Sequence, residues 1–243
     1  MYKTLQIENP QQITLCELHE IEQPLSKTEV KLKPIIGGIC GSDVSVYKGN
    51  LAHAKYPVIP GHEVVAKVVE VGSDVTIPVG ARVVIVPNSF CDACENCKKG
   101  RRNICFNKKS LGVNVDGVFS SSFCIDAKYV LPIPESISLE RSTLTEPFAV
   151  IVHALKKVEI DDTKNILIIG CGTEGMLAAS LTHYFGGNVT VIDILQDKLV
   201  AIKKHIPDVI THLPNEVGED RYDLVIECAG VKSSVEQAFE LVK

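Results

Sequence analysis

Four cysteines lie close together in one polar stretch of the chain. Residues 90–105 read FCDACENCKKGRRNIC, with the spacing C-x2-C-x2-C-x7-C. Four soft thiolates from one loop match the closed tetrahedral coordination of a structural zinc ion. An iron–sulfur cluster and a nucleic-acid-binding zinc ribbon are the alternatives, although nothing else in the sequence indicates electron transfer. The predicted structural zinc ligands are Cys91, Cys94, Cys97 and Cys105.

A second chemical motif is the glycine-rich stretch GCGTEG, which follows the apolar run NILII and precedes a helical pattern. In a G-x-G-x-x-G turn, the first glycine permits the tight turn, the second lets the backbone approach a pyrophosphate, and the third lets the helix pack on the strand. An aspartate 23 positions after the first glycine ends the next apolar run, where it would accept hydrogen bonds from a ribose and repel a 2′-phosphate. NAD is therefore favoured over NADP. The predicted cofactor-binding residues are Gly170, Gly172, Thr173, Glu174, Gly175 and Asp193.

Further thiol, imidazole and carboxylate groups are scattered through the first two thirds of the sequence. Cys40 lies in GICGSD, His62 and Glu63 in PGHE, and Glu146 in LTEPFAVIVHAL. Each is weak evidence alone, because a single cysteine or histidine is more often a small core residue or a satisfied polar group than a metal ligand.

The composition of the chain argues against several classes of protein. The chain has 243 residues, 45% of them hydrophobic, so it can bury a core without disulfide bridges. Its first residues lack a signal-peptide pattern, and no apolar run is long enough to span a membrane, so the expected location is the cytoplasm. The formal net charge of −5 disfavours nucleic acid as a partner, and the basic cluster KKGRR is interpreted as a solvated loop.

The pattern of elements changes along the chain. The first part is rich in strand signals, including VKLKPII, VVAKVVEV and RVVIVP, which predict half-buried strands of a folded-over sheet or barrel. From about Thr163, apolar runs alternate with helical stretches, which is typical of βαβ units and a parallel sheet. The predicted domains are residues 1–155 and 156–243.

The order of the motifs GICGSD, PGHE, the cysteine-rich segment, TEPFAVIVHA and the glycine turn resembles the zinc-containing medium-chain alcohol dehydrogenase family. The glutamate in TEPFAVIVHA is similar to the sorbitol and polyol dehydrogenase branch. The resemblance implies a fold of class α/β plus β, with a GroES-like β domain that carries the zinc lobe and then a Rossmann domain. It also implies a homo-oligomer when the protein is full length.

By the same resemblance, the chain would bind two zinc ions and NAD and would oxidise a small secondary alcohol or polyol by hydride transfer. Ser42 would be the first proton relay and Asp43 would orient a histidine ligand. Zinc would act as a Lewis acid on the alcohol. The implied catalytic zinc ligands are Cys40, His62, Glu63 and, directly or through water, Glu146.

The sequence departs from the family pattern at several places. Ser45 stands where the polyol branch often has a histidine, so the outer proton relay is unassigned, with His53 an unsupported substitute. The segment DGVFSSSF has Val118 and Ser121 in place of a glycine and a glutamate, so substrate-side packing is expected to differ.

The sequence ends at FELVK, which the pattern places inside the helix after the fourth Rossmann strand. Because the two-half fold has six strands, we expect the chain to be truncated, with roughly a hundred further residues in the whole protein. A non-catalytic, zinc-stabilised dinucleotide-binding relative or an inactive fragment is therefore the alternative function.

Overall fold

The computed structural model describes residues 2–18, 24–218 and 221–243. The described chain divides into two compact units between Glu146 and Pro147, whereas the sequence placed the boundary after residue 155. No helix in the described ranges has the length and apolar character needed to cross a bilayer.

The first unit is built mainly from antiparallel strands. One hairpin pairs β1 with β2, and a five-stranded sheet has the order β6-β3-β4-β5-β7 among the described residues. The strands are β1 (Tyr2–Asn9), β2 (Gln12–Leu18), β3 (Glu29–Gly38), β4 (Glu63–Val71), β5 (Arg82–Ile85), β6 (Phe123–Asp126) and β7 (Val130–Pro132). The helices are α1 (Gly41–Lys48), α2 (Glu95–Lys98) and α3 (Leu139–Thr143), with 3-10 turns at Arg102–Ile104 and Ala127–Tyr129.

The three strands predicted in this part of the chain are confirmed as β3, β4 and β5. Their β-branched residues favour extended backbone and pack well on a pleated surface. Side chains from all three strands meet in one buried cluster that includes Val30, Leu32, Val68, Val83 and Ile85. This core holds β3 and β4 side by side. The end of β3, which leads to Cys40, lies next to the start of β4 at Glu63, because Gly38 pairs with Glu63.

The second unit is a parallel sheet with helices. Among the described residues its strand order is β10-β9-β8-β11, with every pairing parallel. The elements are α4 (Thr145–Leu155, which starts before the boundary), β8 (Asn165–Ile169), α5 (Thr173–Tyr184), β9 (Asn188–Ile192), α6 (Gln196–His205), β10 (Ile210–His212), β11 (Leu224–Glu227) and α7 (Lys232–Leu241).

Numbered in chain order, β8, β9, β10 and β11 are strands 1, 2, 3 and 4. The order across the sheet is therefore 3-2-1-4. This is the arrangement of a doubly wound dinucleotide-binding fold, and it confirms the alternation predicted from about Thr163. The strand order reverses between β8 and β11, and the carboxyl ends of strands at such a switch point form a binding crevice. The last helix ends at Leu241 rather than continuing to the final residue, and Val242 forms a parallel bridge with Tyr222.

Candidate functional site

Cys40 lies where β3 passes into helix α1, a helix that the sequence pattern did not predict. Cys40 is the N-cap residue in extended backbone (φ −80°, ψ 154°), and Asp43 is the third residue of the helix. The Cys40 N–H donates to Asp43 Oδ2 at 2.9 Å. The carboxylate therefore satisfies one of the free donors at the helix start and holds the Cys40 backbone in place.

The other oxygen of Asp43 reaches the turn that carries His62. Gly61 N–H donates to Asp43 Oδ1 at 2.9 Å, and His62 Nδ1 lies 3.6 Å from the same oxygen. Asp43 and His62 are 6% and 8% exposed, so these interactions operate with little screening by water. One carboxylate thus ties the GICGSD turn to the PGHE turn.

The structure brings together three of the four predicted ligands of the catalytic zinc. One ligand atom each from Cys40, His62 and Glu63 lies within 4.8 Å of the other two. Glu63 starts β4 opposite Gly38, and a Cβ at Gly38 would lie 2.1 Å from Glu63 Oε2, so only glycine leaves room for this carboxylate. Among the described residues Glu146 lies outside this group of three, in the first turn of α4, and remains a predicted fourth ligand.

The environment of His62 fits a metal ligand. Its Nδ1 is buried and faces Asp43 Oδ1 at 3.6 Å, which leaves Nε2 as the ring nitrogen on the Ser42 side. Burial lowers the pKa of His62, but Asp43 and Cys40 raise it by more, so that the pKa reaches about 10. The pocket therefore favours a positive charge at this position. A thiolate, an imidazole and a carboxylate that surround a site for positive charge match the donor set of a catalytic zinc ion.

Ser42, the predicted proton relay, lies at the same site. Its Oγ is 3.5 Å from His62 Nε2. Ser45 instead donates its hydroxyl to the Gly41 carbonyl at 2.9 Å, within α1. Ser42 is thus placed beside the ligand group, whereas the Ser45 hydroxyl is bound to its own helix.

The four cysteines of the 91–105 segment converge. Their sulfurs all lie within 4.8 Å of one another, and all four cysteines are free thiols. Cys105 Sγ lies 3.5 Å from Cys91 Sγ and 3.9 Å from Cys94 Sγ. A tetrahedron with metal–sulfur bonds of about 2.3 Å has edges of about 3.8 Å, whereas a disulfide needs about 2.05 Å. The spacing therefore fits four ligands of one zinc ion.

Two features prepare this lobe for a metal. Backbone N–H groups of Ala93 and Cys94 lower the pKa of Cys91 to about 6, whereas burial raises the pKa of Cys97 to about 12. Thiolate is the form that binds zinc, so Cys91 is ready to bind near neutral pH. Around the cluster, Arg102 forms an ion pair with Asp92 and stacks 4.5 Å from the Phe90 ring, so part of the basic KKGRR stretch holds the lobe together.

The glycines of the GCGTEG turn have three different environments. Gly170 has φ +95°, a backbone conformation that favours glycine. A Cβ at Gly175 would lie 1.8 Å from Gly170 O, whereas a Cβ at Gly172 would meet nothing within 4 Å. Gly175 thus permits close packing of α5, and Gly172 faces open space at the start of that helix. The backbone N–H groups of Thr173 and Glu174 begin α5, and a helix terminus of this kind can stabilise a phosphate.

Asp193 lies directly after β9 and is bound to the glycine turn. Its Oδ2 accepts from Cys171 N–H at 2.7 Å, and its Oδ1 accepts from Leu195 N–H at 2.8 Å. The carboxylate is 8% exposed. The residue predicted to contact a ribose therefore also shapes the turn itself.

A cavity of about 670 Å³ adjoins the carboxyl ends of β8, β9 and β11 and is lined by Gly170, Gly172 and Asp193. Its volume is typical of a small-molecule site. Lys198, which was not among the predicted site residues, also lines the cavity, with Nζ 3.8 Å from Asp193 Oδ2. The sequence signal that could have predicted it is a basic residue five positions after Asp193, early in α6.

Comparison with known proteins supports this arrangement. Residues 26–135 match the family model for the alcohol dehydrogenase GroES-like domain. The L-threonine 3-dehydrogenase of Pyrococcus abyssi is 31% identical over 93% of this chain and 69% of its own length. The chain belongs to the zinc-containing alcohol dehydrogenase family. Within this family, the sorbitol dehydrogenase of Bacillus subtilis is 33% identical over 90% of this chain and 66% of its own, which places the chain near the polyol branch.

A solved structure agrees with both halves of the family fold. A Sinorhizobium meliloti protein assigned as a zinc-binding dehydrogenase and bound to NADP has a TM-score of 0.91 and 29% identity, and the match covers 100% of this chain and 74% of that one. The predicted fold class, a GroES-like β domain followed by a Rossmann-type parallel sheet, is confirmed. The chain spans between 60% and 71% of the length of the curated relatives that it matches.

Proposed function

We propose that this chain carries the metal-binding and dinucleotide-binding parts of a zinc-dependent dehydrogenase that oxidises a secondary alcohol or polyol with NAD. The observation that carries the proposal is the convergence of Cys40, His62 and Glu63, whose ligand atoms lie within 4.8 Å of one another beside Ser42. When bound, zinc supplies a Lewis acid that lowers the pKa of an alcohol hydroxyl.

The chain's own residues would do the remaining work at this site. Asp43 holds the Cys40 backbone and the His62 turn in register, so the two ligands stay at one place. Ser42 Oγ, which lies at the ligand group, would accept a hydrogen bond from the substrate hydroxyl and take its proton while passing its own hydroxyl proton on to solvent. The hydride acceptor is the dinucleotide, whose chemistry is its own once it is bound.

The preference for NAD rests on Asp193. This buried carboxylate lies at the edge of the cavity and would repel the 2′-phosphate of NADP. Lys198 partly offsets that charge, because its ammonium group lies 3.8 Å from Asp193. The Sinorhizobium relative is bound to NADP, so the preference of this chain is a separate question that Asp193 makes testable.

Zinc stoichiometry tests the proposal directly. We expect two zinc ions per purified chain, of which Cys40→Ala loses one and Cys91→Ser loses the other. Cys16→Ser, at a cysteine outside both clusters, is the matched control and should keep two. A wild-type chain with a single zinc ion that disappears in Cys91→Ser would overturn the catalytic-zinc assignment.

Turnover is tested with NAD on a panel of sugar alcohols, other polyols, simple secondary alcohols and amino-alcohols. The Cys40→Ala variant is the negative control, because Cys40 belongs to none of the buried core clusters of the described residues. Activity that persists in Cys40→Ala contradicts the proposed chemistry.

A further inference from the structure

Two backbone segments that are far apart in sequence are bonded together at the metal site. The His62 turn is defined as residues 59–62, and the 112–119 segment is the stretch GVNVDGVF. Four hydrogen bonds join them. Three of these bonds hold the backbone carbonyls of Ile59, Pro60 and Gly61, the residues directly before His62. The bonds are Ile59 N–H to Asp116 Oδ1 (3.0 Å), Gly117 N–H to Ile59 O (2.6 Å), Val118 N–H to Gly61 O (3.1 Å) and Phe119 N–H to Pro60 O (3.1 Å).

Packing between the two segments leaves no free space. A Cβ at Gly117 would lie 2.2 Å from Gly61 O, and a Cβ at Gly112 would lie 2.8 Å from Gly61 N. On the other side, Gly61 has φ +94°, and a Cβ there would lie 2.4 Å from the Phe119 ring. Because an added Cβ would clash at each of these three positions, only glycine lets the two segments lie this close together.

The hydrogen bond from Gly61 N–H to Asp43 Oδ1 fixes the opposite side of the turn. The His62 turn is thus held between α1 and the 112–119 segment. Asp43 supplies the contact from the helix, whereas Asp116 supplies the one hydrogen bond from a side chain of the 112–119 segment to the turn among the described residues.

We propose that the 112–119 segment positions His62 for metal binding and that Asp116 is a positioning residue of the catalytic metal site. This inference rests on the proposed function, since it assumes that Cys40, His62 and Glu63 bind a metal. Asp116 acts through the Ile59 N–H and the turn. Residues that orient a ligand from outside the coordination sphere typically change metal affinity 10- to 100-fold when they are lost.

The two metal clusters allow a test with an internal reference. Apo-protein is titrated with Co²⁺ in competition with a chelator, and absorption separates the site with four thiolates from the site with one. We expect Asp116→Ala to bind Co²⁺ about tenfold more weakly at the Cys40 site and unchanged at the four-cysteine site. The matched control is Asp126→Ala, because Asp126 Oδ1 also accepts a backbone N–H, from Lys128 at 3.0 Å, at a position that does not contact the His62 turn.

Conservative replacement guards against a purely structural effect. Asp116→Asn keeps an oxygen that can accept from Ile59 N–H, so we expect affinity at the Cys40 site close to that of the wild type. A wild-type chain that binds Co²⁺ only at the four cysteines would overturn the proposed function together with this inference. Two bound ions in the wild type with equal affinity at the Cys40 site in Asp116→Ala would overturn the positioning role alone.

Discussion

Asp43 accepts a hydrogen bond from Gly61 N–H at 2.9 Å, across 18 positions of sequence. Through its second oxygen, Asp43 also accepts from Cys40 N–H. One buried carboxylate therefore sets the distance between two candidate zinc ligands, Cys40 and His62. A group that accepts two backbone N–H groups in this way cannot be replaced by an amide without loss, because the amide has one acceptor oxygen.

We predict that Asp43→Asn weakens zinc binding at the Cys40 site by 10- to 100-fold. One of the two backbone N–H groups would lose its partner, which costs about 1–3 kcal/mol of unfolding free energy for a buried donor. Chelator competition and denaturant unfolding measure the two effects. Asp126→Asn is the control, since Asp126 bonds Lys128 N–H and Thr28 at a more exposed position. Equal zinc affinity in Asp43→Asn and wild type would contradict the prediction.

The pH dependence follows from the raised pKa of His62. The folded-state pKa of about 10 lies above the unfolded value of about 6.5. A raised pKa stabilises the fold fully below the unfolded pKa, and this contribution is lost as the pH rises through the folded pKa. The metal-free chain should therefore lose unfolding free energy between about pH 6.5 and pH 10.

Zinc affinity should change in the opposite direction. A metal ligand must be deprotonated to bind zinc. For each proton that zinc displaces, the zinc affinity therefore rises about tenfold per unit of increasing pH, as long as the pH is below the pKa of that ligand. Thermal unfolding of the metal-free chain and chelator competition, both measured across this pH range, check the two slopes. In His62→Gln the His62 contribution to each slope is absent. The same pH slopes in His62→Gln and wild type would show that another group titrates.

Local patterns predicted the elements whose signals are local. The four-cysteine spacing, the glycine turn and the apolar runs of β8, β9 and β11 each depend on residues that are neighbours in sequence, so their types and positions are readable. Helix α1 was missed because it has eight residues and starts at a cysteine N-cap rather than a serine, threonine or aspartate.

Contacts between distant segments could not be derived from periodicity. The bond from Ile59 to Asp116 joins residues 57 positions apart, and no local pattern in the sequence links the two. The family resemblance supplied Cys40, His62 and Glu63 as a set, because their spacing alone does not indicate convergence. The packing around Gly61 and Phe119 emerged only from the three-dimensional arrangement.

Substitution of Asp193 tests the cofactor preference, and the hydrogen bonds of its carboxylate decide which substitution is suitable. Asp193→Ala would remove the partners of Cys171 N–H and Leu195 N–H and so disturb the turn. Asp193→Asn removes the negative charge and keeps one of the two acceptor oxygens, so it disturbs the turn less than Asp193→Ala does. We expect weaker NADH binding and a preference shifted toward NADPH in this variant. Fluorescence titration with both dinucleotides measures the ratio, and an unchanged ratio would show that the carboxylate does not face the ribose.

Gly172 and Gly175 provide a matched pair for the dinucleotide turn, because the same substitution has opposite consequences. In Gly175→Ala the added methyl group would lie 1.8 Å from Gly170 O, so the helix must move and the unfolding free energy should fall by about 1–3 kcal/mol. In Gly172→Ala the methyl group meets no protein atom within 4 Å, and the backbone φ of −79° suits alanine.

Gly172→Ala should therefore keep the stability of the wild type. Its methyl group would fill the space at the start of α5 where the pyrophosphate is expected, so we predict NADH affinity at least about tenfold weaker, or about 1.4 kcal/mol. Thermal unfolding and NADH fluorescence titration of both variants separate the two roles. Undiminished NADH binding by a stable Gly172→Ala chain would place the pyrophosphate elsewhere, because a ligand at this helix terminus cannot share the volume of that methyl group.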